Sequence, residues 1–356
     1  MNCSIISERF GDSFREYVVD AAVRPLFFHG DVLNVLAEIP DNSFDFVMTS
    51  PPYWNQRVYA ENGVGGEKTY DEYVEILLKI FTEIHRTLKK SGSFWLNIGD
   101  VYLNKKLLGL PWRVALAMID RQGWILRNDV VWNKVKGGMD ATKDRLGNVH
   151  ENVFHFVKTP QNYYYNVDAI RSKPRQAKIV NGALVSATGV SGVRYKRQLE
   201  LSTALNEQEK ADALKQLNIV LNDVKEGKIS DFRMVIRGEQ RTTHSDSEKI
   251  SGRAKELKEK GFYFLKYNPK GCKPSDVWDI LPEDTQKRKL HFAPYQLDLC
   301  RIPLLATCPQ DGIAFDPFCG TGTTSLAALQ LGIKSLGVDL SLNYLEHASQ
   351  RCATLL

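Results

Sequence analysis

The sequence predicts an α/β fold with one large, mostly parallel sheet and helices on both of its faces. Short apolar runs end in polar turns at "PLFFHGDVL" (25–33) and "SFDFVMTSPPY" (43–53), a pattern typical of buried parallel strands. Segments with helical periodicity alternate with such runs, first up to about residue 170 and again near the carboxyl end. This alternation of strand and helix is the signature of an α/β sheet.

In the first half of the chain, "YDEYVEILLKIFTEIHRTLKKSG" (70–92) predicts a helix with an acidic first turn and with Lys89, Lys90 and Gly92 at its end. The spacing of Tyr73 and Leu77 is typical of its buried stripe. The remaining segments of this half predict a strand at 93–100, a helix at 110–123 and two further strands at 124–135 and 151–159.

From about residue 172 the composition shifts to Lys, Arg, Gly and Ser with fewer strand-like runs. Asn206 and Glu209 form a predicted capping box at the start of an amphipathic helix. The α/β pattern resumes with a helix at 291–308, a strand, turn and helix at 312–332, and a strand and helix at 334–351. We therefore predict that residues 1–171 and 271–356 form two halves of one domain, interrupted by an insert at 172–270.

Composition narrows the class of protein. The chain has 356 residues, 43% of them hydrophobic and 25% charged, which is enough for a full core. The six cysteines are scattered without a C-x-x-C pair, so neither a disulfide framework nor a zinc site or other metal centre is expected. The sequence has no apolar run of membrane-spanning length and no signal-peptide pattern, and we expect a cytoplasmic protein.

The positive charge is concentrated in the insert. Residues 171–260 hold 19 Lys and Arg against 12 Asp and Glu, a net +7, whereas the whole chain carries +5 and the rest of it therefore −2. A local excess of this kind indicates a surface that faces a polyanion.

Two short segments predict a nucleoside site. "FDPFCGTGTT" (315–324) places two glycines and several hydroxyls at a strand-to-helix turn, where backbone N–H groups can approach a ligand closely. The third position of the G-x-G-x-x-G pattern is Ser325 rather than glycine, so a dinucleotide is disfavoured. Asp339 ends the next predicted strand, about 20 residues later, where a carboxylate can accept both hydroxyls of a ribose.

A rigid corner follows the strand at 44–48. In "TSPPYWNQRVY" (49–59), Pro51 and Pro52 fix φ near −65° and remove two donors, leaving the carbonyls of Ser50 and Pro51 as acceptors. Tyr53 adds a flat aromatic face beside them. Such a corner suits a planar amine, which donates its hydrogens to the acceptors and stacks on the ring.

Together, these segments resemble a known family. "TSPPYW", "DPFCGTGTT" and "GVDLSLNYLEHASQR", with "HGDVL" and "HFAPYQLDLC", are similar to the motifs of the S-adenosylmethionine-dependent DNA amino-methyltransferases. The catalytic motif precedes the cofactor glycines, an order that resembles the circularly permuted β group. The resemblance covers about 27–170 and 272–352. It implies a Rossmann-like methyltransferase sheet, with the insert in the place of the target-recognition region.

The resemblance also implies roles for individual residues. S-adenosyl-L-methionine would be the cofactor, with Asp339 at the ribose hydroxyls, Asp31 at the adenine end and Phe292 packing nearby. Ser50, Pro51, Pro52 and Tyr53 would form the catalytic corner. The methionine moiety would be held by the turn residues Asp316, Pro317, Phe318, Gly320, Thr321, Gly322, Thr323 and Thr324.

The target base is left open between two amines. Ser at the head of the corner resembles the cytosine-N4 enzymes, whereas Asp or Asn there is usual for adenine-N6, and the cytosine-N4 reaction is the first expectation. Carbon-5 methylation needs a cysteine nucleophile in a Pro-Cys pair, and none of the 14 prolines is followed by Cys. The string "ENV" at 151–153 matches a carbon-5 motif, but we interpret it as the start of a strand.

Double-stranded DNA is the expected partner, with a cognate restriction endonuclease system as a further one and a monomer or homodimer as the assembly. The basic strip 233–253 predicts phosphate contacts by Arg233, Arg237, Arg241 and Arg253. The alternatives are methylation of RNA or of a protein glutamine amide, and a catalytically silent DNA-binding subunit. The basic insert and Ser50 disfavour the protein substrate, and the intact motifs at both ends disfavour a silent subunit.

Overall fold

A computed structural model describes residues 3–56, 63–136, 142–238, 252–282 and 296–355. The chain divides into two compact units. The first, which we call the sheet unit, contains the described residues up to Ile170 and those from Ser275 onward. The second, the inserted unit, runs from Arg171 to Pro274. Within the described residues, no helix is long and apolar enough to cross a membrane.

The sheet unit is built on a sheet of nine strands among the described residues, in the order β1-β2-β15-β14-β3-β4-β8-β7-β13. The pairs from β1 to β4 in this order are parallel, β4-β8 and β8-β7 are antiparallel, and β7-β13 is parallel. The strands are β1 (Ser4–Ile6), β2 (Pro25–His29), β3 (Phe44–Thr49), β4 (Leu88–Ile98), β7 (Ile125–Asn133), β8 (His150–Val157), β13 (Val277–Asp279), β14 (Ile313–Asp316) and β15 (Lys334–Asp339). A separate small hairpin pairs β5 (Tyr102–Leu103) with β6 (Lys106–Leu107). The predicted α/β class is confirmed.

Helices connect the strands of this unit. They are α1 (Phe10–Val19), α2 (Val32–Glu38), α3 (Tyr70–Thr87), α4 (Leu110–Gln122), α8 (Leu297–Thr307), α9 (Thr323–Gln330) and α10 (Leu342–Ala353), with a short 3₁₀ helix at Val167–Ile170. The stop of α4 at Gly123 is confirmed, since Gly123 caps the helix with φ 75°. The helix expected at 291–308 is shorter in the structure: α8 begins at Leu297, after the extended N-cap residue Gln296, and ends at Thr307, while residues 291–295 lie outside the described part of the chain.

The two sheet faces each carry a core. Alternate residues of one strand point to opposite sides, so Val47 joins the core cluster beneath α1–α4, whereas Phe46 and Met48 join the one beneath α8 and α9. β14 behaves in the same way, with Phe315 on the first side and Ala314 on the second. Burial on both faces explains why these strands are continuous apolar runs.

The predicted helix at 70–92 is five residues too long at its carboxyl end. α3 ends at Thr87, and Lys89, Lys90 and Gly92 belong to β4. The Lys89 ammonium bonds both oxygens of the Asp45 carboxylate, at 2.9 and 2.8 Å. A side chain at Gly92 would begin 2.8 Å from the Asp45 carbonyl oxygen. These contacts with β3 are distant in sequence, and they override the local helical signal.

The inserted unit has its own small core. Its elements are β9 (Lys178–Val180), β10 (Ala183–Val185), α5 (Gly192–Leu201), α6 (Glu207–Lys225), β11 (Asp231–Ile236), α7 (Gly252–Lys260) and β12 (Phe262–Tyr267). β9 pairs with β10 and β11 with β12, both antiparallel. α5 and α6 pack on one face of the β11–β12 ribbon through Tyr195, Leu217 and Phe232. The capping box of Asn206 and Glu209 is confirmed at the start of α6.

Candidate active site

Four adjacent strands bring the predicted site residues to one edge of the sheet. β2, β15, β14 and β3 are neighbours and parallel, so their carboxyl ends lie side by side. Asp31 follows β2, Asp339 ends β15, Asp316 ends β14 and Ser50 follows β3. From β14 the chain crosses to β15 through α9, and from β3 it crosses to β4 through α3 on the opposite face. In open α/β sheets, ligands bind at such a switch of direction.

The glycine turn after β14 is shaped by close packing. Gly322 has φ 74°, and a Cβ there would lie 2.7 Å from the Cβ of Ala348 on α10. Only glycine fits this combination of left-handed backbone and contact. Gly322 is the N-cap of α9, so the first turn of that helix, with its free N–H groups, lies near the end of β14. Pro317 is buried, and Phe318 is half-buried against the core under α1–α4.

Asp316 is a buried carboxylate with three donors. Its Oδ1 accepts from the Thr49 hydroxyl at 2.7 Å and from the Phe318 N–H at 3.2 Å, and its Oδ2 accepts from the Thr324 hydroxyl at 2.6 Å. Asp316 is 1% exposed. Thr49 immediately precedes Ser50, so the Asp316 side chain joins the glycine turn to the proline corner (residues 50–53). The geometry makes Asp316 an organiser of the turn.

The Asp339 carboxylate accepts two backbone hydrogen bonds and can accept more. Its Oδ2 accepts from the N–H of Gly320 at 2.9 Å and its Oδ1 from the N–H of Ser341 at 2.8 Å. Each carboxylate oxygen can accept a second hydrogen bond. Burial raises the pKa of Asp339 to about 6, against the lowering effect of these two N–H groups.

Asp31 caps the helix that follows it. Its Oδ1 accepts from the backbone N–H groups of Leu33 and Asn34, at 2.9 and 3.2 Å. The backbone N–H of Gly30 bonds to the carbonyl of Asp339 at 3.1 Å, so the loops after β2 and β15 are directly joined. Asp31 therefore lies beside Asp339 in the fold.

Arg351, which the sequence analysis did not single out, supports the glycine turn from α10. Its Nη1 donates to the Thr321 carbonyl at 2.5 Å, to the Thr321 hydroxyl at 3.1 Å and to the Thr323 hydroxyl at 3.3 Å. Thr321 and Thr323 are buried. Both hydroxyls therefore accept hydrogen bonds that stabilise the turn. An arginine late in an amphipathic helix carries no sequence signal for this contact.

Hydrogen bonding and packing hold the proline corner in place. The Tyr73 hydroxyl donates to the Pro52 carbonyl at 3.0 Å, while no described donor lies within hydrogen-bonding distance of the Pro51 carbonyl. The Tyr53 ring packs on Gly99, where an added Cβ would lie 2.7 Å from the ring atom Cε2. Ser50 is half-buried at the head of the corner.

A line of hydrogen bonds leads from this corner to β8. The Ser50 hydroxyl donates to the Tyr53 hydroxyl at 3.3 Å, which donates to Glu151 Oε2 at 2.7 Å. Burial and, secondly, the Glu151 charge hold the pKa of Tyr53 well above its usual value, so Tyr53 is a neutral donor. Glu151 also accepts from Asn97 Nδ2 at 3.1 Å and from the Lys134 ammonium.

Glu151 is the site residue that sequence reasoning passed over. The interpretation of "ENV" as strand is correct, since residues 151–153 lie in β8. The same residues also place a largely buried carboxylate at the corner. Phe292 and Arg241, two other predicted site residues, lie outside the described part of the chain.

The sequence of this chain matches a known protein family. The sequence model of the N6/N4 DNA methylase family matches residues 44–350, and the chain belongs to this family. The match includes the corner, the inserted unit and the glycine turn.

The individual proteins to which this chain is similar include named methyltransferases. The chain is 30% identical over 392 residues to the type II methyltransferase M.SfiI of Streptomyces fimbriatus, covering 94% of this chain and 92% of that protein. It is 37% identical to the type II methyltransferase M.XycI of Xanthomonas campestris pv. cyanopsidis over 40% of this chain and 57% of that protein. The solved structure of the cytosine-N4-specific PvuII DNA methyltransferase has a TM-score of 0.56 at 16% identity, over 98% of this chain and 88% of that chain, and shares the fold.

Proposed function

We propose that this chain transfers a methyl group from S-adenosylmethionine to the N4 amine of cytosine in double-stranded DNA, with adenine N6 as the alternative. The observation that carries the proposal is the contact between the two halves of the site. Ser50 lies at the head of the proposed amine-binding corner. The residue before it, Thr49, is hydrogen-bonded to Asp316 of the glycine turn. A methyl donor and an acceptor amine held at these two places would be neighbours.

The residues at the edge of β2, β15 and β14 fit S-adenosylmethionine. Asp339 retains acceptor capacity for the two ribose hydroxyls. The first turn of α9 presents N–H groups near Gly320 and Gly322 that suit the methionine carboxylate. Asp31 lies at the adjoining loop, on the side we assign to the adenine. The bound cofactor would supply an electrophilic methyl group on its sulfonium.

At the corner, this chain would bind the amine and keep it in line with that methyl group. An exocyclic amine is a weak nucleophile because its lone pair is delocalised into the ring. Acceptors at Ser50 Oγ and the Pro51 carbonyl favour a pyramidal nitrogen and stabilise the positive charge that develops. Tyr53 offers its ring as the stacking surface for a base flipped out of the duplex.

Cytosine N4 is favoured over adenine N6 by the serine at the head of the corner. Ser50 contributes a neutral hydroxyl, and its hydroxyl bonds to Tyr53, which separates it from the Glu151 carboxylate. Carbon-5 chemistry is disfavoured because it needs a cysteine nucleophile, and the buried thiol of Cys319 has a pKa raised well above its usual value. Names of type II methyltransferases among the relatives support a restriction-modification setting with a cognate endonuclease.

The inserted unit offers a DNA-binding surface beyond the strip that the sequence suggested. Seven Lys and Arg and no Asp or Glu lie between Arg171 and Leu199. On α5, Arg194 and Arg197 are exposed and have no acidic partner among the described residues. Val193 beside them is 69% exposed. A helix of this length fits the major groove, and we propose α5 as a DNA-contacting element.

One arginine of the predicted basic strip, Arg237, makes contacts that stabilise the inserted unit itself. Arg233 and Arg253 are exposed and stay predicted phosphate contacts. Arg237 already donates to the Ala204 carbonyl at 2.9 Å and pairs with Glu209 at 3.1 Å, so its guanidinium ties β11 to α6. We therefore leave Arg237 out of the proposed DNA contacts.

The identity of the methylated base tests the proposal directly. Expression in a host without DNA methylation, followed by mass spectrometry of the nucleosides, should yield N4-methylcytosine. Sequencing of the modified positions gives the recognition context. N6-methyladenine instead would establish the alternative, and unmodified DNA with an intact, cofactor-binding protein would refute the enzymatic assignment.

Cofactor affinity should depend on the charge of Asp339. Because its pKa lies near 6, protonation below that pH removes the charged acceptor, and calorimetric titration should show S-adenosylmethionine binding weakening by about tenfold between pH 7.5 and 5. Asp339→Asn should bind weakly and without this pH dependence. A flat wild-type profile would remove Asp339 from the ribose site.

The same carboxyl should affect stability with the opposite sign. A pKa raised from 3.8 means that the folded chain binds the proton more tightly than the unfolded chain. The cofactor-free wild type should therefore gain stability relative to Asp339→Asn as pH falls through 6. Urea unfolding of both proteins at pH 7.5 and 5 provides this internal control.

The salt dependence of DNA binding tests the contacts in the inserted unit. Replacing Arg194 and Arg197 with Gln should lower the slope of log K against log salt by about 1.8, since each phosphate contact contributes about 0.9. The pair Arg233 and Arg253 should behave likewise, whereas replacing the exposed Lys215 and Lys225 of α6 should leave the slope unchanged. Equal losses in all three variants would indicate general charge attraction, and an unchanged slope for α5 would place the DNA elsewhere.

A further inference from the structure

The hydrogen bonds behind Ser50 have a direction. Ser50 donates to Tyr53 at 3.3 Å, and Tyr53 donates to Glu151 at 2.7 Å. A hydroxyl has one hydrogen and two acceptor lone pairs. With its hydrogen turned toward Tyr53, the Ser50 oxygen presents lone pairs to whatever occupies the corner.

This direction depends on Glu151. The Tyr53 oxygen can accept from Ser50 because its own hydrogen is committed to the carboxylate, which only accepts. If the group behind Tyr53 were a donor, Tyr53 would donate to Ser50 instead. Ser50 would then point its hydrogen at the substrate amine, where an acceptor is needed.

Three hydrogen-bonding partners hold the Glu151 carboxylate in place. Glu151 pairs with the ammonium of Lys134 through Oε1, while Oε2 accepts from both Tyr53 and Asn97. The side chain of Glu151 is 12% exposed. Charge-assisted hydrogen bonds in such a setting are stronger and more directional than those exposed to water. The ring of Tyr53 is itself fixed against Gly99.

We infer that Glu151 is a positioning residue for methyl transfer: through Tyr53 it sets the Ser50 hydroxyl as a hydrogen-bond acceptor for the amine. The inference rests on the proposed amino-methyltransferase function and deepens it. It assigns the Tyr53 hydroxyl a role separate from that of its ring. It also places a negative charge three hydrogen bonds from the nitrogen that becomes positive during transfer, which favours the transition state.

A double-mutant cycle distinguishes this relay from a structural role. In Glu151→Gln the amide oxygen should turn to Lys134, leaving the amide N–H₂ to donate to Tyr53 and so reversing the direction. Tyr53→Phe removes the hydroxyl and keeps the ring. Each should lower the single-turnover rate by about 10- to 100-fold, with S-adenosylmethionine affinity unchanged. The double variant should be no slower than the slower single variant, because the residues act as one unit.

Tyr73→Phe is the matched control. Tyr73 is also a buried tyrosine at the corner, but its hydroxyl donates to the Pro52 carbonyl and not to Glu151. Its effect on the rate, whatever its size, should multiply with that of Glu151→Gln. Calorimetric S-adenosylmethionine affinity reports whether each variant is folded.

Three results would overturn the inference. A wild-type transfer rate in Glu151→Gln would show that the corner needs no relay. Multiplicative effects of Glu151→Gln and Tyr53→Phe would show that the two act independently. Weakened cofactor binding in parallel with the rate would indicate a structural role. If instead the wild type transfers no methyl group to DNA, the proposed function fails and not the relay alone.

Discussion

The organisation of the site depends on one buried carboxylate. Asp316 accepts hydrogen bonds from Thr49 on β3 and from Thr324 at the start of α9, two residues separated by most of the chain. A buried carboxylate is costly unless such donors surround it, so the arrangement is favourable only when both loops are in place. The fold thereby makes the glycine turn and the proline corner a single unit.

The rest of the site is built outward from this connection. On one side, Arg351 and the packing of Gly322 on Ala348 hold the turn that faces Asp339. On the other, Tyr73 and Glu151 hold the corner. Most of the conspicuous polar side chains are therefore committed to one another. Among the described residues of the site, those that keep acceptor capacity for ligands include the Asp339 and Asp31 carboxylates, the Ser50 hydroxyl and the Pro51 carbonyl.

Local sequence patterns predicted those parts of the structure that have local causes. The strand ending at Asp339, the glycine turn and the proline corner each follow from a few adjacent residues, and the parallel order of the strands brings them together. The carboxyl end of α3 was predicted wrongly, because the pairing of Lys89 with Asp45 is not visible in a helical pattern. Glu151 was passed over for a similar reason. Glu151 reaches the corner through its hydrogen bond with Tyr53, almost a hundred residues earlier in the chain. The string "ENV" does not reveal this contact, which depends on the pairing of β8 with β4.

The central claim is that Asp316 couples the proline corner to the glycine turn, and Thr49→Val tests it most directly. Valine keeps the shape and strand preference of threonine but removes the hydroxyl that bonds to Asp316. Thr87→Val is the control, since Thr87 is equally buried and its hydroxyl bonds within α3. Calorimetric titration with S-adenosylmethionine should show about tenfold weaker binding for Thr49→Val, the loss of one hydrogen bond to a charged group, and unchanged binding for Thr87→Val. Wild-type affinity in a folded Thr49→Val protein would contradict the account.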